Sequence, residues 1–162
     1  MRKMAMLVLA ALLLAAPAAA RDSLGVFGAW GAFRDPSVPR CYAIAMPRAS
    51  RAQRDYQPFA SIGTWPRRGV RGQVHVRLSR QLAGGAQPTL TIGGQRFTLS
   101  GGGGDAWAPD KAMDAGIVAA MRSAGSMIVS ARDTRGRRFS DSYALDGAAT
   151  ALDAATLGCA RR

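Results

Sequence analysis

Short apolar runs separated by turn residues, with about ten residues from one run to the next, dominate this chain after its N-terminal segment. The clearest run covers residues 73–79, where apolar and polar side chains alternate strictly. The strongest turn signal is Gly93-Gly94, which separates residues 89–92 from residues 95–99 and predicts a two-residue hairpin. The pattern predicts a mainly β domain, either an antiparallel sandwich or an open barrel.

Other segments extend this prediction. Further strands are expected over residues 25–33, 41–46, 59–65, 126–131 and 138–145, and the four glycines at 101–104 are expected to form a flexible connection. A helix is expected to begin at Pro109-Asp110, with an apolar stripe made of Met113, Ile117, Ala120 and Met121. A short C-terminal helix would share one face among Ala148, Leu152, Ala155 and Cys159.

The first twenty residues have the layout of a secretory signal peptide. Arg2 and Lys3 precede an apolar run, and small residues at 17–20 predict cleavage after Ala20. The apolar run is shorter than the roughly 20 residues that span a bilayer. We therefore expect a signal peptide at 1–20 and one domain at 21–162, in the periplasm, on the envelope or secreted.

Cys41 and Cys159 are the only cysteines in the chain. An even count in an exported protein predicts a disulfide, which would join the two ends of the mature chain. A structural zinc site is not expected, because it takes four ligands and the chain has two cysteines and one histidine. No metal or other cofactor is predicted.

The chain is strongly basic, with 22 lysine and arginine residues against 10 acidic ones and a net charge of +12. The candidate anion-binding residues form two clusters, Arg67, Arg68 and Arg71 in one and Arg135, Arg137 and Arg138 in the other. An exported protein would meet lipopolysaccharide or another anionic envelope polymer rather than nucleic acid, and peripheral membrane contact fits the same charge. A simply solvated surface is the competing interpretation.

His75 is the only histidine, so any hydrolase mechanism based on histidine would need it. Ser140 and Asp141 could complete a catalytic set, but spacing in the sequence does not place them within hydrogen-bonding distance. The alternative is an exposed strand histidine. We expect no catalytic residues.

The order of motifs in the second half resembles a known family. These motifs are Asp105-Ala-Trp-Ala-Pro-Asp110, Ile117-Val-Ala-Ala-Met121, Arg135-Gly136, Asp141-Ser-Tyr-Ala-Leu-Asp-Gly147 and a last helix that ends in Cys159. Together with Cys41-Tyr42, they resemble the invasion-associated locus B (IalB) family of exported alphaproteobacterial proteins.

The chain looks like a divergent member, because it has Gly63-Thr-Trp-Pro66 where the family usually carries a Thr-His-Arg-Pro-like strand end, and Ala144 in place of a serine. The resemblance implies an immunoglobulin-like β-sandwich with two short helices, linked in some relatives to host-cell invasion, and supplies no catalytic residues. The expected function is non-enzymatic binding of an envelope component or partner protein. The alternatives are electrostatic binding of an anionic polymer and hydrolysis that depends on His75.

Overall fold

The computed structural model describes residues 20–160, so the predicted signal peptide lies outside the described residues apart from Ala20. Over this range the chain is mainly β, with two antiparallel sheets and two helices. The predicted class, a mainly β antiparallel sandwich with two short helices, is confirmed.

The elements of the described range follow one another in this order: β1 (Asp22–Phe27), β2 (Trp30–Asp35), β3 (Arg40–Ala45), β4 (Phe59–Trp65), β5 (Val70–Arg77), β6 (Thr89–Ile92), β7 (Gln95–Thr98), β8 (Ser100–Gly102), β9 (Asp105–Trp107), α1 (Lys111–Met121), β10 (Ser126–Arg132), β11 (Arg138–Ala144) and α2 (Ala148–Ala160). One sheet has the strand order β1-β2-β3-β4-β5-β9-β8. The other has the order β11-β10-β6-β7. Most neighbouring strands are consecutive in the chain, as expected for strands joined by short turns.

Alternating positions of the strands supply one continuous core. Its largest fully buried side chains include Trp30 and Val76 from the first sheet and Leu90, Ile92 and Tyr143 from the second. The indole Nε1 of Trp30 donates a hydrogen bond to the carbonyl oxygen of Ala144 at 2.9 Å, which ties the two sheets together. A period of two in strands such as β5, β6 and β10 therefore contributes to the single interior that the alternation over residues 73–79 predicts.

Both helices cover the core with the faces predicted for them. Asp110 caps α1, because its Oδ1 accepts a hydrogen bond from the backbone N–H of Met113 at 2.8 Å. Ile117, Ala120 and Met121 of the predicted stripe are buried. Helix α2 packs on β1 to β4, and helix α1 packs on β5, β6 and β7. The apolar faces of both helices thus cover part of the core.

Two segments differ from the prediction. Residues 25–33 do not form one strand, because the chain turns at Gly28-Ala29 and β1 pairs with β2 as a hairpin. Gly28 has a φ of +54°, a conformation that favours glycine, and the amide of Ala29 donates to the carbonyl oxygen of Asp146 at 3.1 Å. A hydrogen bond to a residue far along the chain thus fixes a turn that the local sequence does not reveal.

The glycines at 101–104 do not form a flexible connection. Gly101 and Gly102 belong to β8, which pairs with β9. The carbonyl oxygens of Gly103 and Gly104 accept hydrogen bonds from the amides of Leu82 and Leu78 at 2.7 and 2.8 Å. Backbone pairing therefore orders this segment. Because glycine has no side chain, the backbone of residues 78–82 can approach it closely.

The predicted disulfide between Cys41 and Cys159 is present, with a Cα–Cα distance of 5.8 Å. It joins β3 to the last turn of α2 across a sequence separation of 118 residues. Cys41 is fully buried, whereas Cys159 is half-buried at the edge of the core. The bond therefore anchors the C-terminal helix to the centre of the seven-stranded sheet.

Candidate functional site: a basic-rimmed pocket between the helices

A pocket opens between α1 and α2, above β4 and β5. Its volume is about 400 Å³, and small-molecule sites typically measure about 300–1,000 Å³. Ile62 and Thr64 form its floor, and the walls include Ala115, Val118, Leu152 and Ala155. We call it the interhelical pocket. Its lining is largely apolar and, as far as residues 20–160 are concerned, includes no carboxylate.

The sequence of the two helices explains why space remains there. Ile117 of α1 points into the core, and Val118 lies about 100° around the helix from it, since one turn takes 3.6 residues. Ala115 on α1 and Ala155 on α2 face the same gap with side chains of a single carbon. The helices are thus held apart by the core below them, and small residues leave the gap unfilled.

A β-bulge shapes the mouth of the interhelical pocket. The β4–β5 register shifts between Gly63 and Trp65. Gly72 takes a φ of +66°, and its amide donates a hydrogen bond to Thr64 Oγ1 at 3.2 Å. A bulge bends the strand that carries it and redirects the neighbouring side chains. Arg71, next to this glycine, lines the pocket.

Three cationic side chains line the pocket: Arg71, Lys111 and Arg122. Arg122 is paired, because its Nη2 donates to Asp153 Oδ1 at 2.7 Å, and this hydrogen bond raises the pKa of Arg122 and lowers the pKa of Asp153. Within residues 20–160, Arg71 and Lys111 have no carboxylate at ion-pair distance. The pocket therefore combines an apolar interior with two cations free to meet an anion.

A second pocket of about 350 Å³ adjoins the first and shares Pro66 and Cys159 with it. Arg34, Arg40 and Arg67 line this second pocket. Asp22 accepts from the Nε of Arg34 at 2.8 Å, so the charge of that guanidinium is compensated. Cys159 therefore borders two basic openings at one end of the molecule.

The two predicted arginine clusters lie at opposite ends of the fold. Arg67 and Arg71 line the two adjoining pockets beside the turn that precedes β5, whereas exposed Arg68 lines neither. The cluster of Arg135, Arg137 and Arg138 follows β10, near the point where Leu82, downstream of β5, pairs with Asp133. Eight strand residues at about 3.3 Å each separate the ends of β5 by roughly 25 Å. The structure does not bring the clusters together.

Asp133 organises the β10–β11 turn. It is almost fully buried, and its Oδ1 accepts hydrogen bonds from the amides of Arg135 and Arg137, both at 2.9 Å. Its Oδ2 lies 3.0 Å from the Nε of Arg80 and 3.2 Å from the Nη2 of Arg137. Burial would raise the pKa of Asp133, but these amides and guanidinium groups outweigh it and hold the pKa below its usual value.

His75 lies on the outer face of β5, in contact with aromatic rings and one carboxylate. Its Nε2 is 2.9 Å from Asp105 Oδ1, and its ring stacks on Trp107 with 5.4 Å between centroids. The other oxygen of Asp105 pairs with Arg77. The carboxylate that the fold brings to His75 is therefore Asp105.

Ser140 and Asp141, which the sequence offered as partners of His75, lie on β11 in the other sheet. Asp141 is buried, and its Oδ2 accepts a hydrogen bond from the amide of Ser79 at 2.9 Å. This carboxylate therefore holds the end of β5 against the second sheet.

Of the residues that the sequence singled out, Arg67, Arg71 and Cys159 line the adjoining pockets. The sequence did not single out Lys111 or Val118, which also line the interhelical pocket. One usable signal was present: Ala115 and Val118 are apolar residues on α1 outside its predicted core stripe. Across residues 20–160, no helix is long and apolar enough to cross a membrane. In the same part of the chain, no three His, Cys, Asp or Glu side chains gather closely enough to hold a metal ion.

Fold and site together define a class of protein. It is a β domain of two sheets with one disulfide and with an apolar, basic-rimmed pocket between its two helices. No protein-family model, no curated protein and no solved structure matches this chain.

Proposed function

We propose that this protein is an exported, periplasmic or envelope-associated binding protein, a divergent member of the invasion-associated locus B family, and not an enzyme. Its ligand is an anionic amphiphile of the envelope, held in the interhelical pocket. The apolar walls take the hydrocarbon part, and Arg71 and Lys111 face the acidic group. The observation that carries this proposal is an apolar pocket that has, among the residues the structure describes, two unpaired cations and no carboxylate in its lining.

Physical chemistry supports this ligand class. Burial of apolar surface gives about 25 cal/mol per Å², so a hydrocarbon chain gains binding energy without specific contacts. A guanidinium forms charge-assisted hydrogen bonds with carboxylate or phosphate, which are stronger than neutral ones. The net charge of +12 also favours the approach of anions over cations.

Export and family membership rest on other features. The signal-peptide layout of residues 1–20 supports secretion, and the Cys41–Cys159 disulfide fits an oxidising compartment. The motifs shared with the family support the kinship. A non-enzymatic role is supported by Asp141, whose hydrogen bond to the Ser79 amide gives it a structural task away from His75.

The test compares two probes with the same chain and opposite head charge, dodecanesulfonate and dodecyltrimethylammonium, by titration calorimetry below their micelle concentrations. We expect the sulfonate to bind and the ammonium to bind at least roughly tenfold more weakly, a difference of about 1.4 kcal/mol. The double variant Arg71→Ser/Lys111→Ser should remove this preference. Ala115→Phe, which fills the pocket from an exposed helix position, should abolish binding of the chain.

Arg68→Ser is the matched control, because Arg68 lies three residues before Arg71, in the turn that precedes β5, is exposed and does not line the pocket. Binding that is unchanged by Ala115→Phe, or equal affinity for both probes, would overturn the proposal.

A second candidate function is electrostatic binding of an anionic envelope polymer. It is favoured by Arg68, Arg135 and Arg138, which are exposed and have no carboxylate at ion-pair distance within residues 20–160. On a heparin-like resin this function predicts that Arg68→Ser lowers the eluting salt concentration as much as Arg71→Ser does, because screened surface charges act by number rather than position. A loss confined to Arg71→Ser favours the pocket instead.

A further inference from the structure

A third cavity lies at the end of the molecule away from the interhelical pocket, between residues 50–54 and the β10–β11 turn. It measures about 300 Å³ and is lined by Arg54, Arg80, Arg137 and Arg138, by Asp133 and Asp141, and by Ser50 and Ser140. We call it the arginine cleft. Four arginines against two aspartates leave its lining with a net charge of +2.

Both aspartates of the arginine cleft already have partners within the protein. Asp133 accepts hydrogen bonds from two amides of its own turn with Oδ1, and its Oδ2 lies at ion-pair distance from Arg80 and Arg137. Asp141 accepts from the amide of Ser79. The charge of Asp133 is therefore compensated by two guanidinium groups, whereas Asp141 keeps its negative charge beside a neutral amide. The four arginines of the lining still outnumber its two carboxylates.

Two of the four arginines that line the cleft have no acidic partner. Arg54 and Arg138 have no carboxylate at ion-pair distance within the described part of the chain. Arg80 holds the opposite wall in place, because its Nη1 donates to the carbonyl oxygen of Gln53 at 3.2 Å while its Nε faces Asp133. The cleft thus presents two free cations on a wall fixed by an ion pair, with the hydroxyl groups of Ser50 and Ser140 as further donors.

We propose that the arginine cleft binds a phosphate monoester group. Planar guanidinium forks match the oxygens of phosphate, and a dianion suits two unpaired cations better than a monovalent carboxylate does. The same chemistry could come from a free or soluble phosphate ester or from a lipid head group. This site is independent of the ligand proposed for the interhelical pocket, since the two lie at opposite ends of β5.

The experiment measures two probes against the full mature protein. One arm titrates inorganic phosphate, and the other measures co-sedimentation with phosphatidylcholine vesicles that contain phosphatidic acid, whose head group is a monoester. Binding in the first arm alone assigns a soluble phosphate, binding in the second alone assigns a lipid head group, and either supports the cleft. Arg54→Ser and Arg138→Ser should each weaken binding roughly tenfold, the effect of losing one charge-assisted contact.

Arg135→Ser is the matched control, because Arg135 is exposed in the same turn and does not line the cleft. Ala115→Phe, which fills the interhelical pocket, should leave phosphate binding unchanged, so failure of one site is separable from failure of the other. No binding in either arm overturns the proposal, and so does an equal loss with Arg135→Ser, which would indicate general surface charge.

Discussion

At the residue scale, Tyr143 combines complete burial with a hydroxyl group that has no hydrogen-bond partner among the described residues. Burial raises the pKa of this phenol well above its usual value, with nearby Asp141 adding to the effect and Arg54 opposing it. The group therefore stays protonated and bears the cost of leaving water without a replacement bond.

We predict that Tyr143→Phe stabilises the protein by about 1 kcal/mol, because an unsatisfied buried polar group costs about 1–3 kcal/mol. Urea denaturation of both proteins checks this. A lower midpoint for the phenylalanine variant would show that the hydroxyl has a partner, such as a buried water molecule.

Asp133 and Asp114 predict opposite responses to pH. Asp114 is buried and accepts from the amide of Val74 at 2.8 Å; burial raises its pKa, against the effect of that hydrogen bond. A lowered pKa, as in Asp133, gives stability that is present above the usual carboxyl value near 3.9 and lost as pH falls through the folded pKa. A raised pKa, as in Asp114, gives stability that is present below the usual carboxyl value and is lost as pH rises through the folded pKa.

Asp133→Asn should therefore lower the melting temperature clearly at pH 7 and reduce the loss of stability on acidification. Asp114→Asn should lower it far less at pH 7, because the amide oxygen can still accept from Val74 and no buried charge remains. Melting curves from pH 3 to 7 for the three proteins measure this. Parallel curves for both variants would contradict it.

At the element scale, the sequence predicted best where a single element carries its own signal. The hairpin at Gly93-Gly94, the strand over residues 59–65 and the helix start at Pro109-Asp110 match the structure, because turn chemistry and alternation act locally. The β1–β2 turn was missed, because a distant hydrogen bond to Asp146 specifies it. The interhelical pocket was missed for a similar reason, since its lining comes from three segments far apart in the chain, residues 62–72, 111–122 and 152–160.

The β6–β7 hairpin allows a test of its turn. Gly94 has a φ of +86° and open space around it, so Gly94→Ala would suffer backbone strain and no clash. We predict a loss of about 1 kcal/mol in the free energy of unfolding. Gly125→Ala is the control, because Gly125 has open space without a positive φ. Urea midpoints should fall for the first variant and hold or rise for the second; equal shifts would contradict the turn geometry.

At the scale of the whole molecule, the disulfide is the covalent link between two segments that are 118 residues apart in the chain. Closing a loop of this length stabilises a protein by up to about 4–5 kcal/mol in the chain-entropy model. We predict that the double variant Cys41→Ser/Cys159→Ser loses a large part of this stability, measured by urea denaturation. Wild-type protein treated with a reductant should unfold at a similarly lowered urea midpoint. A urea midpoint equal to that of the oxidised wild type in both samples would contradict a structural role of the disulfide.

The same double variant should bind dodecanesulfonate more weakly than wild type even where it remains folded. Cys159 borders both adjoining pockets, and the last turn of α2 is held at the sheet by its bond to Cys41. Calorimetry at a temperature well below the melting transition measures this. Full affinity in the reduced protein would show that the helix end keeps its position without the bond.

Because Cys159 borders the cavity and is bonded to Cys41 in the sheet, uptake of the proposed ligand should depend on the oxidation state of the chain. A reduced polypeptide would load poorly. For an exported chain, as we propose this one to be, loading would then begin only where the two thiols are oxidised.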